Sequence, residues 1–183
     1  MKHFFILIFC ILLIFKAHAQ GPLKNSMDIR FGYGGVDGLS GMTFLSAAYG
    51  LDIKRGFILK GNYLKGTGIK SYSTLGHQSE TKLLNIYGIS LQKAVNTSGS
   101  SSINLALGYR YINQSTSFLF NATTNPNGNV IFDGVQNTST HHGVDVDLSY
   151  VVNIHERVGV YAGANFTTSI SMFSVNFGSR VYF

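Results

Sequence analysis

The nearest thing to an acid–base pair in this sequence is Asp145 and Asp147, two carboxylates with a single residue between them. On an extended strand, side chains two positions apart share a face. Such a pair could pass a proton, or it could sit opposite cations and simply pair with them, which also offsets the cost of taking the charges out of water. The second reading is the expected one. The histidines offer a different chemistry. His141 and His142 follow Ser139 and Thr140, while His77 and His155 stand apart. A hydroxyl beside an imidazole is raw material for nucleophilic catalysis. Two adjacent histidines on a strand point to opposite faces, so they are not expected to share a metal ion. No catalytic residue, metal or cofactor is expected.

The remaining charges are Lys and Arg scattered singly, and the net charge of +6 forms no basic cluster. Nucleic acid is therefore not expected as a partner, since that needs cations gathered on one face or helix. The single cysteine, Cys10, falls in an apolar run from Phe4 to Phe15. That run follows Met1-Lys2-His3 and precedes Lys16-Ala17-His18-Ala19, the pattern of a secretory signal peptide with cleavage after Ala19. It is too short for a membrane-spanning helix, which takes about 20 residues. Leu7-Ile8-Phe9 before Cys10 lacks the small residue of a lipidation site. Residues 1–19 are thus expected to be removed, leaving residues 20–183 as one domain without cysteine. Thiol catalysis, disulfides and thiolate metal sites are then excluded.

The elements that must carry these residues are strands. The mean hydropathy of +0.16 is high for an exported chain, yet no later stretch resembles a spanning helix. Only helices and closed barrels can cross lipid, because backbone polar groups there must be paired within the protein. Eight segments alternate with period two. They are Met27 to Tyr33, Thr43 to Ile53, Phe57 to Lys65, Leu83 to Leu91, Ile103 to Tyr111, Val144 to Val152, Arg157 to Phe166 and Phe173 to Phe183. In the fifth, Ile103, Leu105, Leu107, Tyr109 and Tyr111 alternate with Asn104, Ala106, Gly108 and Arg110. The fourth is less clean, with Asn85 on its apolar face.

A soluble sandwich would alternate too. Aromatic residues at the segment ends (Tyr33, Tyr63, Tyr109, Tyr111, Phe166, Phe183) favour a barrel with interface girdles, and Gly and charges share the other face. The fold class expected is all-β: a transmembrane, antiparallel, up-and-down β-barrel of about 8 strands. An eight-stranded barrel has room inside only for side chains. Asp28, Arg30, Lys60, Arg110, Asp145, Asp147 and Arg180 are expected there as a polar network, with Arg157 inward or near a mouth.

With the N-terminus on the periplasmic side, outside connections are expected at Gly34–Met42, Gly66–Lys82, Ile112–Gly143 and Thr167–Met172. Inside ones are expected at Asp52–Gly56, Lys93–Ser102 and Asn153–Glu156. The longest holds a hairpin signal. Ser117-Phe118-Leu119-Phe120 and Val130-Ile131-Phe132 flank Asn127-Gly128, a strong turn pair. The fifth and sixth strands are expected to run on as an extended outside hairpin, with Phe118, Phe120, Ile131 and Phe132 as candidate partner contacts.

The leader, the eight alternating segments and the terminal Arg180-Val181-Tyr182-Phe183 together resemble the small outer-membrane barrels of the OmpA/OmpX type. The resemblance spans nearly the whole mature chain and is one of architecture. It implies a bacterial outer-membrane location, with outer-membrane lipid including lipopolysaccharide around the wall. It also implies that Tyr182 and Phe183 are the signal read by the barrel-assembly machinery. The abundance of Asn, Ser, Thr and Tyr resembles a Bacteroidetes-type source. Nothing follows Phe183 in this sequence, so the cell-wall-binding domain of some relatives is not expected. Some barrels of this size are lipid A-modifying enzymes with a His–Ser site, but the last strands here hold no comparable run. The reading that results is a non-enzymatic barrel with a structural or protein-interaction role, such as an accessory subunit beside another outer-membrane protein. The alternatives are a narrow channel and a lipid A-modifying enzyme.

Overall fold

The computed structural model describes residues 25–183 except 55, 73–77, 99, 125 and 128–129; side chains of strand residues 54, 72, 78, 96–98, 120–124 and 130–133 are also outside the description. The expected leader and His77 therefore lie outside the described residues, as does most of the Asn-Gly turn.

The strands are β1 (Ser26–Val36), β2 (Leu39–Lys54), β3 (Phe57–Tyr72), β4 (Gln78–Ser98), β5 (Ser101–Thr124), β6 (Val130–His155), β7 (Val158–Thr167) and β8 (Met172–Tyr182). Each pairs antiparallel with its neighbours in chain order, and β1 pairs with β8 to close the barrel. Closure leaves no full-length edge, which is what lets strands stand in lipid. The seam runs from Ser26↔Tyr182 to Gly35↔Phe173 and is tied at the base by Asn25 and Phe183, which exchange backbone hydrogen bonds of 3.0 and 2.9 Å. Glycine is required at the seam. A Cβ on Gly34 would lie 2.0 Å from the Phe173 carbonyl oxygen, and one on Gly178 equally close to that of Ile29.

We call the end with both termini the base and the opposite end the rim. The base turns are tight, and each lies beside a bulge, at Asp52/Lys54, Ala94/Asn96 and Asn153/His155. Bulges bend a strand and add twist. Expected loops are in large part strand, Gly66–Lys82 among them, since β3 runs to Tyr72 and β4 starts at Gln78. Gly34–Met42 is a hairpin closed by Asp37 and Gly38, both at positive φ (46° and 76°), the two-residue turn that Asp-Gly favours. Lys93–Ser102 is strand up to Ser98 and again from Ser101. Arg157 does not face inward; it is exposed in the base turn after Glu156, where a tight turn leaves no side chain to be enclosed.

The faces divide sharply. Leu107 is 61% exposed and Phe177 60%, whereas Asp28 is 1% and Lys60 2% exposed. The apolar row thus points out and the charges point in, the reverse of a soluble fold and the arrangement a barrel in lipid requires. Toward the rim, the outward faces of β3 to β6 carry a cross-strand row, Tyr63↔Tyr87↔Tyr111↔His142. The rings touch in sequence, with centroids 5.1 Å apart for Tyr63–Tyr87 and 6.4 Å for Tyr87–Tyr111. Amphipathic rings at one level mark a membrane–water boundary. Asn85, the interruption in the fourth segment, accepts the Tyr63 hydroxyl at 2.9 Å at this level.

Beyond that row β3 to β6 continue as a projecting sheet. Pairing runs to Tyr72↔Gln78, Ser79↔Leu119 and Thr124↔Val130. From Tyr111 to Thr124 this is about 40 Å along β5, at ~3.3 Å per residue. The expected extended hairpin is part of this wider sheet.

Candidate functional site

The lower lumen holds an ion-pair network centred on Asp28. Its carboxylate accepts from Lys60 Nζ at 2.7 Å, Arg30 Nη2 at 2.6 Å, and Arg180 Nε and Nη2 at 2.6 and 3.0 Å. Arg180 also donates to Gln92 Oε1 at 3.3 Å. Arg30 reaches across to Asp147 at 2.9 Å, and its guanidinium lies 4.1 Å from the centre of the Tyr161 ring. The Tyr161 hydroxyl donates to Asp147. A separate cluster surrounds Asp145, which accepts from Arg110 at 2.9 Å, Asn165 at 2.6 Å and Thr167 at 3.1 Å.

The strands explain this convergence. Alternation delivers Asp28 and Arg30 from β1, Lys60 from β3, Arg110 from β5, Asp145 and Asp147 from β6 and Arg180 from β8 to one enclosed space. The two aspartates face the same way, but each has its own set of donors. Charges removed from water hold this state only when paired and hydrogen-bonded.

The sequence reading missed the upper lumen. Val36, Leu39, Met42, Phe44, Leu64, Leu84, Ile86, Ile112, Ile170 and Met172 form a buried apolar cluster there. It stands at and above the level of the tyrosine row and plugs the mouth. Its signal is apolar residues on both faces near the rim, as in Phe44-Leu45, Tyr63-Leu64, Leu83-Leu84 and Tyr111-Ile112. Below the plug a small cavity, with about 20 Å³ open to water centres, is lined by residues including Arg30, Lys60, Gln92 and Arg110.

The barrel holds charge inside, apolar surface outside, and a girdle at one level. Among solved structures, Neisserial surface protein A matches with a TM-score of 0.60 at 16% identity, over 89% of this chain and 98% of that one. The fold is that of the eight-stranded outer-membrane barrels. Ail, the attachment invasion locus protein of Yersinia pestis, matches with a TM-score of 0.53 at 10% identity, over 87% of this chain and 97% of its own. A de novo designed transmembrane β-barrel matches with a TM-score of 0.55 at 8% identity, over 90% and 98% of the two chains. No protein-family model and no curated protein matches the sequence.

The histidines separate as strand geometry requires. His142 lies outward between Tyr109 and Tyr111 and hydrogen-bonds the Tyr109 hydroxyl. His141 turns the other way and meets Ser139 Oγ at 2.9 Å. A Ser–His catalytic unit needs a third group to orient the imidazole, and no carboxylate hydrogen-bonds His141 among the described residues. No group of three metal-ligating side chains is found among the described residues.

The projecting sheet contains the second candidate site. β6 pairs with β5 from Val130 to Val152 but with β7 only from Asp145 toward the base. At the junction Val144 faces β7, its N–H donating to Thr168 Oγ1 at 3.1 Å and its carbonyl accepting from the Thr168 N–H at 3.0 Å. By alternation, Gln136, Thr138, Thr140 and His142 turn their backbone N–H groups to the same side, where no strand among the described residues pairs with them. Of the candidate contacts, Phe118 is 39% exposed and pairs with Val135, itself 49% exposed. The backbones of Phe120, Ile131 and Phe132 lie in the paired strands, and their side chains lie outside the described residues.

Proposed function

We propose that this chain is an outer-membrane interaction protein, a sealed barrel that presents the open edge of β6 to an extended segment of a partner polypeptide. The observation that carries the reading is the stretch of β6 from Val130 to Gly143, which among the described residues pairs with β5 alone. Edge strands exposed to solvent are ordinarily blunted with Lys, Pro or a covering element. This one has no Lys, Arg or Pro and a single charge, Asp133. A partner strand could add through main-chain hydrogen bonds, with Phe118 and Val135 offering apolar contact beside it.

Several features support the remainder of the reading. The apolar plug and the ion-paired lower lumen argue for a closed interior and against the channel alternative. The leader pattern in residues 1–19 supports export, and Tyr182 with Phe183 supports recognition by the assembly machinery. The wall would be surrounded by outer-membrane lipid, with lipopolysaccharide around the tyrosine row.

The test uses Thr138→Pro. Proline removes one edge-facing N–H and no bond to β5, so the barrel should fold unchanged. A photo-crosslinking residue at Gln136 in cells should trap one defined partner, and Thr138→Pro should abolish the adduct. A single adduct that survives Thr138→Pro undiminished, or no adduct at all from Gln136 or Thr140, contradicts the edge as the binding element.

A further inference from the structure

Counted as formal charges, the ion-paired lower lumen holds one more cation than carboxylates. Arg30, Lys60, Arg110 and Arg180 face Asp28, Asp145 and Asp147, four cations against three anions. The surplus is enclosed: Lys60 and Arg180 are each 2% exposed and Arg110 5%. An uncompensated buried charge is strongly destabilising even after relaxation. The network also leaves donors without a protein acceptor. These are Arg30 Nε, Arg110 Nε and Nη1, and Gln92 Nε2. Arg30, Arg110 and Gln92, together with Lys60, line the small cavity beneath the plug.

We infer that this cavity binds one monatomic anion of the halide class. The unmatched donors and the unmatched charge belong to the same lining residues, so one anion answers both. The cavity, about 20 Å³, suits a single small occupant, since a cavity needs at least roughly 10–15 Å³ to hold one water. It does not suit sulfate, phosphate or a carboxylate-bearing solute. Asn62 and Asn165 also line the cavity, and their Oδ1 atoms accept no protein hydrogen bond. Those two acceptors, and the carboxylates of Asp145 and Asp147, which line the cavity as well and are paired with Arg110 and Arg30, favour water, which makes water the competing occupant. The anion would act as a lock, neutralising the lumen and joining donors from β1, β4 and β5.

The experiment uses the full barrel in detergent, crystallised from sodium bromide, with anomalous data collected at the bromine edge. The expected result is a bromide peak inside the lumen at hydrogen-bond distance from Arg110. In Lys60→Met, which removes the surplus charge while Arg30 and Arg180 still hold Asp28, the peak should disappear. Bromide found only on the outer surface, with water in the cavity, overturns the inference. An undiminished lumen peak in Lys60→Met overturns it as well. If that variant fails to fold, the wild-type protein still decides. At constant ionic strength, replacing gluconate by bromide should raise Tm by about 3–5 °C for each tenfold rise in halide once the site fills. The same Tm in both salts contradicts halide binding.

Discussion

Asp28 is the residue on which the lower lumen depends. Three cations converge on its carboxylate, and its side chain is 1% exposed. Asp28→Asn keeps the shape and removes the charge, leaving Arg30, Lys60 and Arg180 clustered without their common partner. Breaking a buried pair costs about 3–5 kcal/mol, so the variant should lose at least that much stability in urea unfolding from lipid vesicles. A loss below ~1 kcal/mol would mean that the cluster is well hydrated. The inward charges were legible in the sequence because alternation assigns a face to every residue of a strand. Their pairing was not. That Asp145 would take Arg110 and Asp147 would take Arg30 depends on strand register and on the reach of long side chains across the lumen. Arg157, expected inward or near a mouth, stands exposed in the base turn, where alternation ends.

At the scale of the element, each strand carries two patterns end to end. Toward the base the faces alternate cleanly between lipid and the ion-paired lumen. Near the rim both faces become apolar, because the plug replaces the charges. The plug went unread because runs such as Leu83-Leu84 and Tyr111-Ile112 look like the ragged ends of strands. Strand ends were likewise underestimated. The projecting part of β3 to β6 is polar on its outward face (Thr67, Thr81, Ser115, Thr140) and resembles loop in composition, although it is paired throughout. A substitution at the centre of β5 separates lipid from water as the medium outside. Leu107→Arg should cost about 2–4 kcal/mol of folding free energy in bilayers, as a charge does near the midplane. The variant should fold normally if that face met water. Folding yield into vesicles, read by far-UV circular dichroism, measures the difference.

For the whole molecule, closure, plug and ion-paired lumen together give a wall without a path. Purified protein in planar bilayers should show no discrete conductance across varied salt and voltage. Steady openings would restore the channel alternative, with the plug as its gate. The fold class, the strand number and the extended hairpin were legible, since they follow from period-two patterning and from the Asn-Gly signal. The proposed binding edge was not, because an open strand edge is a property of the backbone and leaves little trace in side-chain identity.

One face of each strand meets lipid up to the tyrosine row and water beyond it. The most direct measurement is a nitroxide scan along β5 from Ile103 to Ser117 in bilayers, one cysteine at a time, comparing collisions with oxygen and with a water-soluble nickel complex. The expected result is strong oxygen access at Ile103, Leu105, Leu107 and Tyr109, and low access to both reagents at Asn104, Ala106 and Arg110. Past Tyr111, nickel access should replace oxygen at Asn113 and Ser115. Nickel access at Leu105 and Leu107 would contradict the claim and describe a barrel standing in water.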